Sequence, residues 1–141
     1  MVTRGDYLKQ LATVSLLRSC NKRELERVAR VADEVHLDSG RKVVEEGQTG
    51  NECYVVISGT ATVSREGTVI ATIGAGDHFG ELAVLDGGPR TATVTATSDL
   101  DLLVIGRREF TALLEDVPGL NRKVLTNLAQ WVRRLDEHVY G

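Results

Sequence analysis

The chain has 141 residues, the length of one typical domain, and its 42% hydrophobic and 26% charged residues are ordinary for a globular protein. Its net charge of −3 at pH 7 argues against broad nucleic-acid binding, which usually requires a basic surface. No stretch has the apolar length of a signal peptide or a membrane span, so the sequence predicts a soluble, cytoplasmic protein.

Two short helices are predicted before the first strand, within about residues 5–33. Asn21 lies three residues before Glu24, which is the spacing of a capping box, and it predicts the start of the second helix. Apolar residues recur at helical spacing in both segments. These residues are Tyr7, Leu8, Leu11, Val14 and Leu17 in the first segment, and Leu25, Val28, Ala29 and Ala32 in the second.

Residues 34–106 have the composition of a β region, because Val and Thr dominate and apolar residues alternate with polar ones. The turn Arg65-Glu66-Gly67-Thr68 lies between two such runs and predicts a hairpin. Other β-rich runs are Tyr54–Ile57, Thr91–Thr97 and Leu100–Ile105. Many short strands with frequent glycine turns favour a barrel or a sandwich.

Helical spacing returns after residue 107, first in Arg108–Glu115 and then, beyond Pro118-Gly119, in a helix of about 20 residues. We expect the early part of the last helix to pack on the β region. Its later turns pack either there or on a second copy of the chain. The apolar stripe comprises Leu120, Val124, Leu128, Trp131, Leu135 and Val139. We expect residues 1–141 to form a single domain.

The sequence contains no pattern typical of a catalytic or metal site. Cys20 and Cys53 are predicted to be unpaired thiols, as in a reducing compartment. The histidines His36, His78 and His138 lack metal-ligand spacing and have no nucleophile beside them. We therefore expect no enzyme activity, no metal and no cofactor.

The segment Gly74–Ala92 combines features of an anion site. A helix predicted to begin at Gly80 would offer free backbone N–H groups, and glycine there permits close approach of a ligand. The turn Gly87-Gly88-Pro89 would bring Arg90 towards the same anion, and a guanidinium binds phosphate through paired hydrogen bonds. Glu81 is suited to a ribose hydroxyl. P-loop and dinucleotide-binding glycine patterns are absent from the sequence.

Each of these two charged residues has a plainer interpretation. Arg90 would be a surface residue paired with Asp86 or Asp101. Glu81 would be a carboxylate favoured by the dipole at a helix N-terminus.

The stretch Phe79–Ala92, FGELAVLDGGPRTA, resembles the phosphate-binding cassette of the cyclic-nucleotide-binding domain family, which has the pattern FGE[LI]A…PR[TSA]A. The family includes the catabolite activator protein, the regulatory subunits of cyclic-AMP-dependent protein kinase and cyclic-nucleotide-gated channels. The run YVVISG at Tyr54–Gly59 and the lead-in GAGDHFG are also similar to the family. The resemblance covers about residues 10–138.

The resemblance implies a mainly β fold with flanking helices. It would be a β-roll or jelly-roll, a cupin-like double-stranded β-helix, of about eight strands with N-terminal helices and a long C-terminal helix. It also implies a ligand site at Phe79–Ala83 and Arg90–Ala92. Glu81 would bind the ribose 2′-hydroxyl and Arg90 the cyclic phosphate.

Further roles are implied around that centre. The backbone N–H groups of Gly80, Leu82 and Ala83 would cradle the phosphate and ribose, and Thr91 would bind a phosphate oxygen or a guanine amino group. Val63 and Ile70 would contact the sugar or the base. The last helix would cap the base through Leu135 and Asp136, with Arg134 and Trp131 as neighbours; Trp131 fits the core as well.

The predicted function is a regulatory domain that binds a cyclic nucleotide and moves its C-terminal helix in response. Cyclic AMP is favoured over cyclic GMP because the sequence has a bacterial character. The expected partners are the nucleotide, an effector protein or domain and, in a homodimer, a second copy, with no DNA or membrane contact. A scaffold of the same fold that binds no nucleotide remains open, as does a fragment of a Crp/Fnr-type transcription regulator.

Overall fold

The computed structural model describes residues 8–9, 11–14, 17–18 and 20–140, except for the side chains of residues 81, 82, 131 and 134–140. This part of the chain contains eight strands and four helices with defined bounds. The helices are α1 (Lys22–Val31), α2 (Glu81–Asp86), α3 (Arg107–Asp116) and α4 (Leu120–Tyr140). The strands are β1 (Asp33–Leu37), β2 (Lys42–Val44), β3 (Glu52–Ser58), β4 (Ala61–Arg65), β5 (Thr68–Ile73), β6 (His78–Phe79), β7 (Thr93–Ala96) and β8 (Leu100–Gly106).

The strands form two four-stranded antiparallel sheets, with the orders β1-β8-β3-β6 and β2-β7-β4-β5. The predicted β-roll of about eight strands with flanking helices is confirmed. Of the two arrangements that strand spacing favoured, the sandwich-like one is observed, because the described strands do not close into a barrel.

Strands β3 and β8 are covered on both faces, which explains their unbroken apolar runs. Tyr54 and Val56 face the second sheet and pack in the core between the two sheets. Cys53 and Val55 face the helices and pack in a second core beneath α1, α3 and α4. Strand β3 therefore contributes to both cores, and residues at either end of this strand can belong to a site at the edge of the sheet.

The N-terminal segment packs as its spacing predicted. Its described apolar residues, Leu8, Leu11, Val14 and Leu17, are all buried in the core beneath the helices. The capping box at α1 is present, because the Asn21 side chain accepts from the Glu24 backbone N–H at 2.9 Å and the Glu24 side chain accepts from the Asn21 N–H at 2.8 Å. Tyr7 lies outside the described residues.

The C-terminal helices also follow the sequence closely. Helix α3 ends at Asp116, Gly119 has a φ of 84° between the helices, and α4 begins at Leu120. Leu120 and Val124 are buried, and Leu128 packs against the same core. No helix among the described residues combines the length and apolar character that a membrane span requires.

The β region differs from the sequence expectation in two places near the cassette. The two-residue strand β6 was not predicted, since it is defined only by its pairing with β3 at Tyr54 and Val55. The run at Thr91–Thr97 is a strand only over β7, because Thr91 and Ala92 form a bend that leads out of the cassette. The predicted hairpin turn is confirmed, and both Glu66 (φ 52°) and Gly67 (φ 82°) have the positive φ that a type I′ turn requires.

Candidate functional site

A cavity of about 590 Å³ lies between the second sheet, helix α2 and helix α4. Its volume is within the range usual for small-molecule sites. Eight of the residues predicted from the sequence line it: Val63, Ile70, Phe79, Gly80, Ala83, Arg90, Thr91 and Ala92.

The short helix α2 brings the two ends of the cassette to this cavity. Gly80 caps its N-terminus with a φ of 92°, and Gly87 caps its C-terminus with a φ of 72°. Both values lie in the left-handed region that favours glycine. The chain then reverses, and Pro89 forms an isolated bridge with Thr49, so that Arg90 returns to the same wall as Gly80.

Arg90 is the buried charged residue of this site, with only 7% of its surface exposed. Its Nη2 donates to the backbone oxygen of Glu52 at 2.8 Å, and its Nη1 donates to that of Gly80 at 3.4 Å. Its backbone is also held, because its N–H donates to the Gln48 oxygen at 2.8 Å and its own oxygen accepts from the Gly47 N–H at 2.9 Å. The segment before β3 thus holds the backbone of Arg90, whereas Glu52 at the start of β3 and Gly80 hold its guanidinium.

A pair of stacked aromatic rings lies next to the guanidinium, and one of the two rings contacts it. The Arg90 Cζ is 5.6 Å from the ring centroid of Tyr54, which is a cation–π geometry, and Tyr54 stacks on Phe79 with ring centroids 4.9 Å apart. Burial raises the pKa of Tyr54, and the neighbouring Glu52 adds to this effect while Arg90 opposes it. Tyr54 was predicted only as part of a strand, so its contact with the site residue is a product of the fold.

The plainer interpretation of Arg90 as a surface residue paired with an aspartate is wrong. Asp101 hydrogen-bonds His36 and Ser58, and Asp86 accepts from the backbone N–H of Gly88. Among the described side chains, no carboxylate forms an ion pair with Arg90. Burying a cation without a counter-charge is unfavourable, because its desolvation costs several kcal/mol of free energy. Only an opposite charge or strong hydrogen bonds offset this cost.

The opposite wall of the cavity contains a β-bulge at Ile70. Val63 pairs with Ala71 and Ser64 pairs with Val69, so the register skips Ile70. Ile70 lines the cavity although 51% of its surface is exposed. Bulges often redirect a side chain next to a binding site, and here the bulge presents an apolar side chain at the cavity mouth.

Several lining residues were missed by the sequence analysis. Arg65 lines the cavity, and its Nε donates to the backbone oxygen of Thr91 at 3.0 Å. Asn127 and Gln130 reach the cavity from α4, together with the apolar Val124 and Leu128. The available signal was weak: these amides merely flank the apolar stripe of α4, and Arg65 looked like an ordinary turn residue.

Some predicted contacts cannot be placed. The side chains of Glu81, Leu82, Trp131, Arg134, Leu135 and Asp136 lie outside the described ones, although their backbones belong to α2 and α4. The ligand roles given to all thirteen predicted site residues therefore stay predictions, the eight cavity residues included.

The cysteines and His36 lie away from the cavity. No disulfide joins the half-buried Cys20 to the buried Cys53, and burial raises the pKa of Cys20. His36, Asp38 and Asp99, all exposed, bring possible ligand atoms within 4.8 Å of one another where β1 ends and β8 begins, a grouping that sequence spacing did not indicate.

Comparison with known proteins agrees with this geometry. Residues 34–117 match the family model described as the cyclic nucleotide-binding domain. A cAMP-dependent protein kinase regulatory subunit of Mucor circinelloides f. lusitanicus is 35% identical over 118 residues, which cover 81% of this chain and 28% of that protein. The chain therefore spans less than a third of this curated relative.

Solved structures show the same fold. The structure of cAMP-bound PfPKA-R has a TM-score of 0.85 at 28% identity, covering 98% of this chain and 48% of that one. The catabolite activator protein of Thermus thermophilus has a TM-score of 0.84 at 26% identity, covering 89% and 61% respectively. Because the similar proteins come from both Mucor and Thermus, they do not test the expected bacterial character of the chain, which stays a prediction. With the family model covering more than half of the chain, including the whole cassette, this chain belongs to the cyclic nucleotide-binding domain family.

Proposed function

We propose that the domain is a non-catalytic sensor that binds cyclic AMP in the cavity between the second sheet, α2 and α4. The observation that carries this proposal is the buried guanidinium of Arg90, which faces the cavity without a described acidic partner. A guanidinium has more N–H donors than the two carbonyls accept, so donors remain for a phosphate. The cyclic phosphate would supply the missing negative charge.

The other ligand contacts follow the cassette. Glu81 would accept a hydrogen bond from the ribose 2′-hydroxyl, and the backbone N–H groups of Gly80, Leu82 and Ala83 would surround the phosphate and sugar. Thr91 would contribute a hydroxyl to the phosphate. Arg65, which donates to the Thr91 backbone, would hold that end of the cassette in place.

The base would lie against Val63 and Ile70 and beneath α4. Two segments of α4 are candidates for the cap: the sequence favoured Arg134–Asp136, whereas Asn127 and Gln130 line the cavity directly. Side-chain amides can pair with the polar edge of a purine, as they do when proteins read adenine. Cyclic AMP is preferred because a similar protein is a cAMP-dependent kinase regulatory subunit and a similar structure contains cAMP.

Calorimetry with cyclic AMP and cyclic GMP tests the site. We expect the unaltered chain to bind cyclic AMP more tightly. Arg90→Ala should weaken that binding by about 2–5 kcal/mol, because it removes one partner of a buried charge pair. Arg108→Ala, which alters an exposed arginine on α3, is the matched control and should bind normally. Unchanged affinity in Arg90→Ala would overturn the site assignment.

A scaffold that binds no nucleotide is the second candidate, and one observation favours it. Leu125 and Val132 lie seven residues apart on one face of α4, with 60% and 61% of their surfaces exposed, so they could contribute apolar area to a contact with a second copy of the chain. Failure of the unaltered chain to bind either nucleotide would favour this candidate. Because the chain spans only part of its relatives, the output of the whole protein, whether kinase regulation or transcription, is a further proposal.

A further inference from the structure

Gly50 lies in the segment before β3, and it is buried directly against the guanidinium of Arg90. A β-carbon at position 50 would overlap with the Nε, Cζ and Nη2 atoms of Arg90. The space that a side chain would occupy at position 50 is therefore already filled by Arg90.

The backbone at Gly50 does not itself require glycine. Its φ lies outside the left-handed region, unlike the φ of Gly47 (85°) or of Gly80 (92°). Gly80 has two reasons to be glycine, because its φ is positive and its β-carbon would lie 2.8 Å from the Nη1 of Arg90. At Gly50, the three atoms nearest to the β-carbon position all belong to the Arg90 side chain.

We propose that Gly50 is a positioning residue for Arg90: its missing side chain leaves the space in which the guanidinium lies against the Glu52 carbonyl and the Tyr54 ring. A β-carbon there would expel the guanidinium from this arrangement, because the backbone on either side of Gly50 is held by the bridge of Thr49 with Pro89 and by the hydrogen bond from the Arg107 N–H to the Asn51 oxygen. The consequence for nucleotide affinity rests on the proposed function, whereas the steric coupling between positions 50 and 90 does not.

A double-mutant cycle tests the coupling by thermal unfolding without any nucleotide. In the unaltered background, Gly50→Ala should lower Tm by several degrees, since overpacking a filled site is destabilising. In the Arg90→Ala background the same change should be neutral or stabilising, because alanine restricts the unfolded chain more than glycine does. This loss of the destabilising effect would not arise if Gly50 had a merely structural role independent of Arg90.

Gly74→Ala is the matched control. Gly74 also has no positive φ, and its β-carbon would lie 3.7 Å from the Gly59 oxygen, which is ordinary contact. Its effect on Tm should be the same in both backgrounds. If Arg90→Ala fails to fold, Arg90→Val replaces it, since the γ-methyl groups of valine fill more of the buried space than alanine does while the guanidinium is still absent.

Calorimetry with cyclic AMP on the same variants provides the second measurement. Gly50→Ala should weaken binding by about tenfold or more, and it should add no further loss to Arg90→Ala. If the unaltered chain binds no nucleotide but Gly50→Ala lowers Tm only when Arg90 is present, the proposed function fails and the positioning role stands. Equal Tm effects of Gly50→Ala in both backgrounds, or normal nucleotide affinity of Gly50→Ala, would overturn the inference.

Discussion

Ile70 and Val69 are neighbours on β5 with similar exposure, but the bulge separates their roles. Val69 pairs with Ser64 and is 59% exposed, and it does not line the cavity. Ile70 falls outside the pairing register and lines the cavity while remaining 51% exposed. A large apolar side chain left half in water at a cavity mouth gains free energy when a ligand covers it.

Replacing Ile70 with alanine should therefore weaken cyclic AMP binding by about fivefold, because the ligand then covers less apolar surface. Val69→Ala, which removes two side-chain carbons from the adjacent position where Ile70→Ala removes three, should leave the affinity unchanged. Calorimetry of the two variants side by side measures the difference. Equal losses in both would argue that β5 affects binding through the stability of the sheet rather than through Ile70.

At the scale of secondary-structure elements, strand β1 lies at the end of its sheet and is joined to β8 partly by a charged pair. The His36 Nδ1 lies 2.7 Å from an Asp101 carboxylate oxygen, and Ser58 of β3 donates to the other oxygen at 2.7 Å. The hydrogen bond to Asp101 raises the pKa of His36, with Asp99 and Asp38 contributing. The hydrogen bonds from His36 and Ser58 lower the pKa of Asp101.

The raised pKa of His36 and the lowered pKa of Asp101 define the pH range in which this pair stabilises the fold. The His36 contribution is fully present below its ordinary pKa of 6.5 and is lost as the pH rises through the raised value. The Asp101 contribution is present above its ordinary pKa of 3.8 and is lost as the pH falls through the lowered value. The pair should therefore stabilise the β1–β8 contact most at mildly acidic pH.

His36→Gln should accordingly lower the urea midpoint of unfolding at about pH 5.5 and have a smaller effect at about pH 8.5. Lys42→Gln, which removes an exposed charge from the other sheet, controls for a general effect of net charge. Because His36 is exposed, the shift should be small and should decrease with added salt. A His36→Gln effect that is equal at both pH values would contradict the pairing.

At the scale of the whole molecule, α4 connects the cavity to the rest of the surface. Its first turns pack in the core through Leu120 and Val124, and its next turns line the cavity through Asn127 and Gln130. A ligand in the cavity would thus contact the same helix whose outer face carries exposed Leu125 and Val132. This arrangement supports the sequence-based prediction that α4 moves in response to the ligand, since a ligand shifts an element only through differential contacts.

Hydrogen exchange with and without cyclic AMP tests that proposal. At a hundredfold excess over its dissociation constant, the ligand adds about 2.7 kcal/mol to any opening that must release it, so protection should rise by up to about a hundredfold. Protection centred on residues 124–130 would favour Asn127 and Gln130 as the cap, and protection centred on 134–136 would favour the segment expected from the sequence. The Arg90→Ala variant is the control. Protection of the cassette with none in α4 would contradict the coupling.

Most of the fold could be predicted from the sequence because its signals are local. The capping box needs only Asn21 and Glu24, and the hairpin turn needs only the backbone freedom of Glu66-Gly67. Strand β6 escaped prediction because two residues carry no periodicity, and its identity depends on pairing with β3. The bend at Thr91 and Ala92 also escaped it, since the alternating run continues across both residues.

The cassette Phe79–Ala92 by itself predicted the ligand class, through its resemblance to a family, and an anion site at Arg90, because both ends of the predicted site lie within fourteen residues joined by a short helix. Tertiary structure decided what surrounds that arginine. Gly50, the Glu52 carbonyl and the Tyr54 ring come from a distant segment, and Asn127 comes from α4. The physical reason is that a buried guanidinium needs room, acceptors and a covering surface, which only long-range packing brings to one place.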